Sequence, residues 1–518
     1  MDSNWQQSDG YRIVRDWMAA RGIAPFDFQE KTWERYAKGY SGMVVAPTGF
    51  GKTYSVFLAV LIDFMNRPDA YGNGLKLVWI TPLRSLAKDL AKAMQEAIDS
   101  IGLDWTVEVR HGDTDVKTRQ RQSKQMPDVL LLTPESLHLL LAQKGRTQFF
   151  KSLQCIAIDE WHELMGSKRG VMMELALAYL KAQYKALRIW GISATIGNLD
   201  EAMEVLLPVA GKKVKIVAKE KKKIAIEPLF PDKVEVLPWA GHLGGALVHK
   251  VIPVILQSKS SIIFTNTRSQ CEMWYQLLLE AYPDFAGQIA LHHSSIDAPI
   301  RQWIEEALSE GRLKAVIATS SLDLGVDFKP VDTVIQVGSA KGVARFMQRA
   351  GRSGHSPNEV SKIYFVPTHS LELVEVAALK DAVKHNAIER REPMVLSFDV
   401  LVQFLVTIAL GGGFLPAAMQ KIIRQTFAFS YMTEEEWQQC ILLITVGGEI
   451  GKNYEDFHKV VQREDGMLVV EKRRIGMLHR MNIGVIVSDA MMRVKFISGG
   501  YIGMVEEYFL SKLKKGDK

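Results

Sequence analysis

Short apolar runs punctuate the first two thirds of this chain at near-regular intervals. Residues 43–45, 77–80, 129–132, 156–158 and 188–192 are rich in Val, Ile and Leu, and stretches of helical pattern stand between one run and the next. Runs that are apolar without alternation are buried on both faces, as in a parallel sheet wrapped by helices. Residues 54–64, after the first run, read as one of those helices. The alternation restarts at 261–264, 289–291, 315–318, 331–337 and 362–366, which predicts a second α/β unit of similar design. Between the two units, residues 212–223 are lysine-rich and end in Glu220-Lys221-Lys222-Lys223. Such a charge run is read as a solvated linker in preference to a direct contact with a polyanion.

From about residue 395 the pattern turns helical. Residues 398–410 end at Gly411-Gly412-Gly413, residues 416–425 follow, and Thr433-Glu434-Glu435-Glu436 forms a capping-box pattern that opens 437–445. Gly466-Met467-Leu468-Val469-Val470 and the basic Lys472-Arg473-Arg474 come next. Three short helices and a β-wing predict a winged-helix module. Residues 485–487 and 492–497 read as strands. The expected division is 1–210 and 211–385 for two α/β domains, 386–482 for a winged-helix domain, and 483–518 for the start of a β-rich region.

Composition narrows the class without deciding it. A chain of 518 residues exceeds one hydrophobic core. At 47% hydrophobic and 24% charged it has the balance of a globular protein, and a net charge of +6 permits a polyanionic partner without demanding one. Cys155, Cys271 and Cys440 are too scattered for a zinc site or a disulfide framework. The first ten residues carry no basic-then-apolar signal pattern. The longest apolar runs fall short of the ~20 residues a membrane helix needs. A cytoplasmic location with no membrane partner is expected.

The candidate chemistry sits where two of the apolar runs end. Ala46-Pro47-Thr48-Gly49-Phe50-Gly51-Lys52-Thr53 lies between the run at 43–45 and the predicted helix. Glycines 49 and 51 let the backbone curl so that its N–H groups face a phosphate, with the helix start adding positive potential. Lys52 would reach the β- and γ-phosphates and Thr53 would place its hydroxyl on Mg²⁺. The first glycine of the usual pattern is Ala46 here. Downstream, Asp159-Glu160-Trp161-His162 ends the run at 156–158. Two adjacent carboxylates are costly at the end of a buried strand unless a cation or a proton offsets them. Asp159 would hold Mg²⁺ and Glu160 would orient and deprotonate a water. A chance glycine turn and a solvated acidic loop are the weaker readings, because the two motifs occur together and in order. Together they point to hydrolysis of a nucleoside triphosphate.

With Thr81-Pro82-Leu83-Arg84, Thr133-Pro134-Glu135-Ser136, Ser193-Ala194-Thr195, the tract from Thr319 to Asp327 and the tract from Gln348 to His355, the chain resembles superfamily 2 helicases. These motifs spread over some three hundred residues in the family's order. Asp159 through Arg169, Arg110-His111-Gly112-Asp113-Thr114 and His292-His293-Ser294-Ser295 resemble the large helicase-related (Lhr-type) family. Trp161 and the tract after it resemble a bacterial branch known as DNA ligase-associated DExH-box helicases.

The resemblance implies two tandem RecA-like domains followed by the winged helix and a β-barrel, and a chain that is C-terminally incomplete. It makes ATP the nucleotide, with Gln29 on the adenine edge, Thr48, Gly49, Gly51, Lys52 and Thr53 on the phosphates, and Gly325 and Asp327 near the ribose. Arg352 corresponds to the arginine finger, and Gln348 to a residue that bridges the cleft through His162. His355 stands where the family usually has a second arginine. Thr81, Arg84, Thr133, Glu135, Thr265, Arg268 and Thr319 correspond to the nucleic-acid track, where hydroxyls, an arginine and backbone N–H groups grip phosphates without reading bases. His162, Ser193 and Thr195 correspond to the parts that couple hydrolysis to movement. The implied activity is an ATP-dependent translocase, 3′ to 5′ on single-stranded DNA, unwinding DNA or RNA–DNA duplexes in DNA repair. An ATP-dependent DNA ligase and a metallophosphoesterase nuclease are the implied protein partners. A Ski2-like RNA helicase and an ATP-gated nucleic-acid clamp are the alternatives, whereas His162 argues against the DEAD-box group.

Overall fold

The computed structural model describes residues 5–47, 49–194, 196–207, 211–220, 222–231, 243–323, 331–354, 359–448, 457–484, 491–495 and 501–506, without the side chains of Arg84, Ser85, Leu243, Ala298, 491–495 and 501–506. Among these residues, seven parallel strands build the first sheet: β1 (Ser41–Val45), β2 (Leu77–Ile80), β3 (Val107–Arg110), β4 (Val129–Leu132), β5 (Cys155–Ile158), β6 (Arg188–Ser193) and β7 (Lys213–Val217), in the order β3-β4-β2-β5-β6-β1-β7. The strands β2, β4 and β5 are buried at every position, because helices cover both faces of the sheet. That double burial is why their sequences run apolar without alternation.

A second sheet repeats the design with β8 (Ile224–Pro228), β9 (Ser261–Phe264), β10 (Ile289–His292), β11 (Ala315–Ala318), β12 (Thr333–Val337) and β13 (Ser361–Val366), in the order β10-β11-β9-β12-β13-β8. The lysine-rich stretch at 212–223 is not the solvated linker expected of it. Its first half is β7, which pairs with β1 from Ser41↔Lys213 to Val45↔Val217, so a boundary at 211 would cut a strand off the first sheet. Lys213-Val214-Lys215-Ile216-Val217 is a half-buried edge strand, with Ile216 inward and the charged positions at the rim. Lys222, within the lysine run, is drawn into the second unit, where its Nζ donates to the carbonyls of Gly351 (3.0 Å) and Ser353 (2.8 Å).

The winged-helix part has three helices, Phe398–Leu410, Pro416–Ile423 and Glu434–Val446, and a two-stranded wing of β14 (Val461–Gln462) and β15 (Leu468–Val469). Thr433 and Glu436 form the expected reciprocal capping box, each side chain meeting the other's backbone N–H. A further helix, Arg473–Met481, packs back on Phe398–Leu410, where Gly476 lets it approach Leu410. Beyond it, β16 (Met491–Lys495) pairs antiparallel with β17 (Tyr501–Glu506). The run at 485–487 lies outside the described residues. Among the described residues no helix is long and apolar enough to cross a membrane.

One hydrophobic core runs from the first sheet through Leu137, Leu141, Met172 and Leu175 into Leu405, Ile408, Trp437 and Ile444 of the winged-helix part. The second α/β unit has its own cores, one on each face of its sheet.

Candidate nucleotide site and strand track

The neighbouring strands β5, β6 and β1 bring three motifs to one edge of the first sheet, the carboxyl side where open α/β sheets bind ligands. After β1, Gly49 (φ 88°) and Gly51 (φ 69°) take left-handed backbone, which only glycine adopts cheaply. A side chain at 51 would also meet Gln29 Nε2 at 2.9 Å. Gly51 caps the helix Lys52–Asn66, so the loop ends on a helix N-terminus. Thr53 is half-buried in the first turn. Gln29 is buried, and its amide is tied to the loop: Nε2 donates to Gly51 O (2.9 Å) while Oε1 accepts from Phe26 N (2.9 Å). In this conformation Gln29 braces the phosphate loop.

Lys52 and Glu160 face each other across this edge. Lys52 Nζ lies 3.7 Å from Glu160 Oε2, and among the described residues neither buried atom has a hydrogen-bond partner. Two charged groups 9% exposed that meet only as a long ion pair, without hydrogen bonds, carry a desolvation cost that a polar ligand would relieve. Glu160 is one of four non-glycine residues with positive φ (47°) among those described, a strained backbone of the sort that clusters at functional sites. Its N–H donates to Asp159 Oδ1 (2.9 Å). Burial first, then the charge of Glu160, pushes the Asp159 carboxyl up to about 7, against the pull of Lys52. Burial also opposes ionisation of Glu160, yet the charges of Lys52, chiefly, and Arg352 help hold its carboxyl below the ordinary range. Burial and the neighbouring charge thus favour the protonated form of Asp159, while Lys52 favours the ionised form of Glu160.

His162 ties the carboxylates to the end of β6. Its Nδ1 accepts from Ala194 N (3.2 Å) and stands 3.2 Å from Ser193 Oγ, which leaves the ring proton on Nε2, 3.6 Å from Glu163. Burial lowers its pKa, so the ring is neutral at neutral pH. Trp161 Nε1 donates to Ala202 O (2.9 Å), pinning the turn of the DExH motif to the helix after β6. Gln348 makes no hydrogen bond to His162. The bridge expected between them is not made in this conformation, in which His162 Nε2 has no hydrogen-bond partner among the described residues. Gln348 instead lines a cavity of about 240 Å³ between the two sheets, with Ala46, Pro47 and Ala194 opposite.

Arg352 comes from the second unit, on the turn after the helix Val343–Ala350, and its Nη2 donates to Asp323 O (3.0 Å). Its charge lowers the pKa of Glu160 in the first unit, which places the two within electrostatic reach of each other across the cleft. Arg349 anchors that turn. It is 2% exposed, with a two-pronged pairing to Asp323 (2.7 and 3.1 Å), a third bond to Gln336 Oε1 (2.8 Å) and the face of Phe264 beneath it. A guanidinium so buried is affordable only with every prong matched. No local sequence pattern marks Arg349 for this part, although Gln348 and Arg352 beside it match the family motif.

The expected track residues fall into two groups. Thr81, Thr133 and Thr265 are buried, and their hydroxyls serve nearby turns: Thr81 donates to Leu83 O (3.3 Å), Thr133 caps the helix Pro134–Leu141, and Thr265 donates to Thr267 O (3.3 Å). In this conformation they hold loop shapes and offer no free hydroxyl. Glu135 is likewise engaged, its carboxylate forked onto Arg169 (2.7 and 3.1 Å), which also donates to Pro82 O (2.9 Å). A bare carboxylate would repel a phosphate backbone, and Arg169 neutralises this one while joining three motifs. Arg169 carried no assigned role in the sequence reading. Arg268 is exposed, donating to Ser295 Oγ (2.9 Å), and Thr319 is half-buried at the end of β11. Thr48, Thr195, Gly325, Asp327 and His355 lie outside the described residues, as does the side chain of Arg84.

Three family models match the chain in order: DEAD/DEAH box helicase over 26–202, helicase conserved C-terminal domain over 246–356, and large helicase-related protein, winged helix domain, over 381–518. The ATP-dependent helicase Lhr-Core protein 2 of Thermococcus barophilus is 30% identical over 510 residues, an alignment of 93% of this chain and 59% of that protein. The Lhr helicase/uracil glycosylase of Escherichia coli is 30% identical over 456 residues, 76% of this chain and 30% of its own length. The structure of Mycobacterium smegmatis helicase Lhr bound to ssDNA and AMP-PNP superposes with a TM-score of 0.79 at 27% identity, over 92% of this chain and 62% of that one. The chain thus spans about three fifths, or less, of the length of these relatives.

Proposed function

With these three matches in order along it, the chain belongs to the large helicase-related family of superfamily 2 DExH-box helicases, and we propose that it is an ATP-driven motor on nucleic acid. One observation carries the reading: the buried Lys52–Glu160 ion pair at the phosphate-type loop, whose facing Nζ and Oε2 atoms make no hydrogen bond among the described residues, with the charge of Arg352 acting on it from the second unit. Lys52 and the backbone N–H groups at 49–53 would bind the β- and γ-phosphates, and Gln29 would hold the loop in register beside the adenine. The donor set fits Mg²⁺, with the Thr53 hydroxyl and Asp159 as its holders. When bound, Mg²⁺ would supply positive charge to the phosphate oxygens and favour the ionised form of Asp159. Glu160 would accept a proton from the water that attacks the terminal phosphate, and Arg352 would stabilise the charge that develops there. Because Arg352 and Glu160 sit on different units, turnover would require the cleft to close.

His162, bonded to Ala194 and beside Ser193, would report the state of Glu160 to the motif that ends in Thr195. Gly325, Asp327 and Gln348 would complete the cleft from the second unit. The neighbouring loops at Thr81, Arg84, Thr133, Thr265, Arg268 and Thr319 would grip a strand by its backbone, with Glu135 positioned by Arg169. Single-stranded DNA as the track, 3′ to 5′ polarity, displacement of DNA or RNA from DNA, and repair partners such as a DNA ligase and a nuclease extend the reading and rest on the family resemblance. The test is ATPase rate against single-stranded DNA, single-stranded RNA and duplex, followed by strand displacement with ATP and with a non-hydrolysable analogue. Single-stranded DNA is expected to stimulate most, and displacement to require hydrolysis. Preference for RNA would favour the Ski2-like alternative, and displacement without hydrolysis would favour a clamp.

A further inference from the structure

The segment 386–396, which joins the second α/β unit to the winged helix, crosses the back of the nucleotide cleft and is gripped from both sides. Glu389 does most of the gripping. Its carboxylate accepts from Val343 N (3.1 Å) and Ala344 N (3.1 and 3.2 Å), the first N–H groups of the helix Val343–Ala350. That helix ends in Gln348 and the Arg352 turn. The backbone carbonyl of the same residue accepts from Gly197 N (3.1 Å), in the turn that follows Ser193–Ala194 in the first unit. One residue therefore holds the arginine-bearing helix with its side chain and the coupling turn with its backbone.

The surroundings are built for this crossing. A Cβ at Gly342 would meet Glu389 Oε1 at 2.4 Å, and a Cβ at Gly197 would meet Ile388 O at 2.4 Å, so a glycine on each unit clears the path. Asn198 clamps the next residues reciprocally, donating to Arg391 O (2.8 Å) and accepting from Arg391 N (2.8 Å). Arg390 pairs with Glu201 at 3.2 Å. The four described non-glycine residues with positive φ are Glu160, Lys341, Asn386 and Leu396. Asn386 and Leu396 begin and end the strap, and Lys341 directly precedes the capped helix. Leu396 N then donates to Ala428 O (2.9 Å), fastening the strap to the winged helix. Apart from Glu160 itself, the strained backbone of the described molecule lies at the strap and the helix it holds.

We propose that Glu389 is a positioning residue for ATP turnover: through the helix Val343–Ala350 it sets Arg352 against Glu160, and through Gly197 it ties that setting to the motif beside His162. The inference rests on the motor reading above and names a residue that reading does not contain. A carboxylate at a helix start satisfies its otherwise unpaired N–H groups and its positive end, so removing it loosens the register of the helix without opening the ATP pocket.

The test is DNA-stimulated ATPase of the full chain, with kcat and the KM for ATP measured separately and thermal melting alongside. Glu389→Ala is expected to lower kcat about tenfold with KM within about twofold of the parent, the signature of a lost transition-state arrangement. Glu389→Gln keeps an acceptor oxygen for Val343 and Ala344 and is expected to recover most of the rate. Asn198→Ala, which removes two of the strap's bonds to the first unit and leaves the helix cap intact, is expected to lower kcat about threefold. Parent-like kcat in Glu389→Ala overturns the proposal, as does a loss that appears wholly in KM, and parent-like kcat in Asn198→Ala overturns the tie to the first unit. A parent chain that hydrolyses no ATP removes the motor reading and this inference with it, whereas a working parent with an indifferent Glu389→Ala removes this inference alone.

Discussion

The first α/β unit meets its two neighbours in opposite ways. Against the winged helix it shares a continuous apolar core, in which Phe404 stacks edge-on to His138 (5.6 Å) and Tyr179 (6.2 Å). Against the second α/β unit it keeps a cavity of about 240 Å³, two separate cores and a polar strap. Buried polar groups strengthen the first contact: Arg146 reaches Ile408 O (3.2 Å) past Gly411, where any Cβ would lie 2.0 Å from its Nη1, and Glu174 accepts from Ala428 N (2.9 Å). Dense apolar contacts resist rearrangement, whereas a contact made of a few hydrogen bonds can exchange partners at small cost. The difference teaches which joint moves. The first unit and the winged helix, which share one core, are expected to stay together as one body while the second unit closes on it.

The comparison can be broken most sharply at the cleft. Arg352→Ala is expected to leave ATP binding within a few-fold of the parent and to slow turnover by ~10³–10⁵, or about 4–7 kcal/mol of barrier. Parallel measurements of nucleotide affinity and single-turnover rate check it, and unchanged turnover would take Arg352 out of the site. On the fixed side, Phe404→Ala is expected to cost about 3–5 kcal/mol in urea unfolding, read jointly for the first unit and the winged helix because they share one core. Separate transitions for the two in the parent protein would contradict a fixed body.

The smallest expected effect is a pH dependence at Glu174. Burial pushes its carboxyl up to about 8, while its bonds to the backbone at 427 and 428 pull the other way. A folded state that holds this proton more tightly than the unfolded chain is stable below the ordinary carboxylate range. It loses that contribution as pH rises from there to about 8. Glu174→Gln keeps the acceptor and cannot ionise, so it should flatten the decline and add on the order of 1 kcal/mol at pH 8 relative to pH 5. Melting temperature against pH for parent and variant checks it. A parallel decline in the two proteins would assign the effect elsewhere.

Much of this architecture is legible in the chain. The apolar runs mark ten of the thirteen parallel strands within a residue or two at either end, because double burial leaves no polar alternation to confuse them. Three of the four edge strands, β3, β7 and β8, escaped, whereas the run at 289–291 marks the fourth, β10. Both β7 and β3 are half-exposed, and β7 hides in a lysine run whose Val214 and Ile216 alternation carried the signal. The phosphate loop and the Asp159–Glu160 pair are contiguous in sequence and therefore visible there. Arg169, Arg349 and Glu389 act through partners far along the chain, at 135, 323 and 343–344, and no local pattern announces such pairings. The threonines of the track illustrate the converse: their positions are marked in sequence, but burial gives Thr81 and Thr265 turn-holding bonds that spacing alone does not foresee.

The central claim is that the Lys52–Glu160 pair, completed by Arg352, hydrolyses ATP when nucleic acid closes the cleft. Steady-state ATPase of the parent, Lys52→Ala and Glu160→Gln, each with and without single-stranded DNA, tests it most directly. The account predicts a parent rate that rises with DNA, and two variants at background in either condition while Glu160→Gln still binds ATP. Hydrolysis by Glu160→Gln at the parent rate would contradict it.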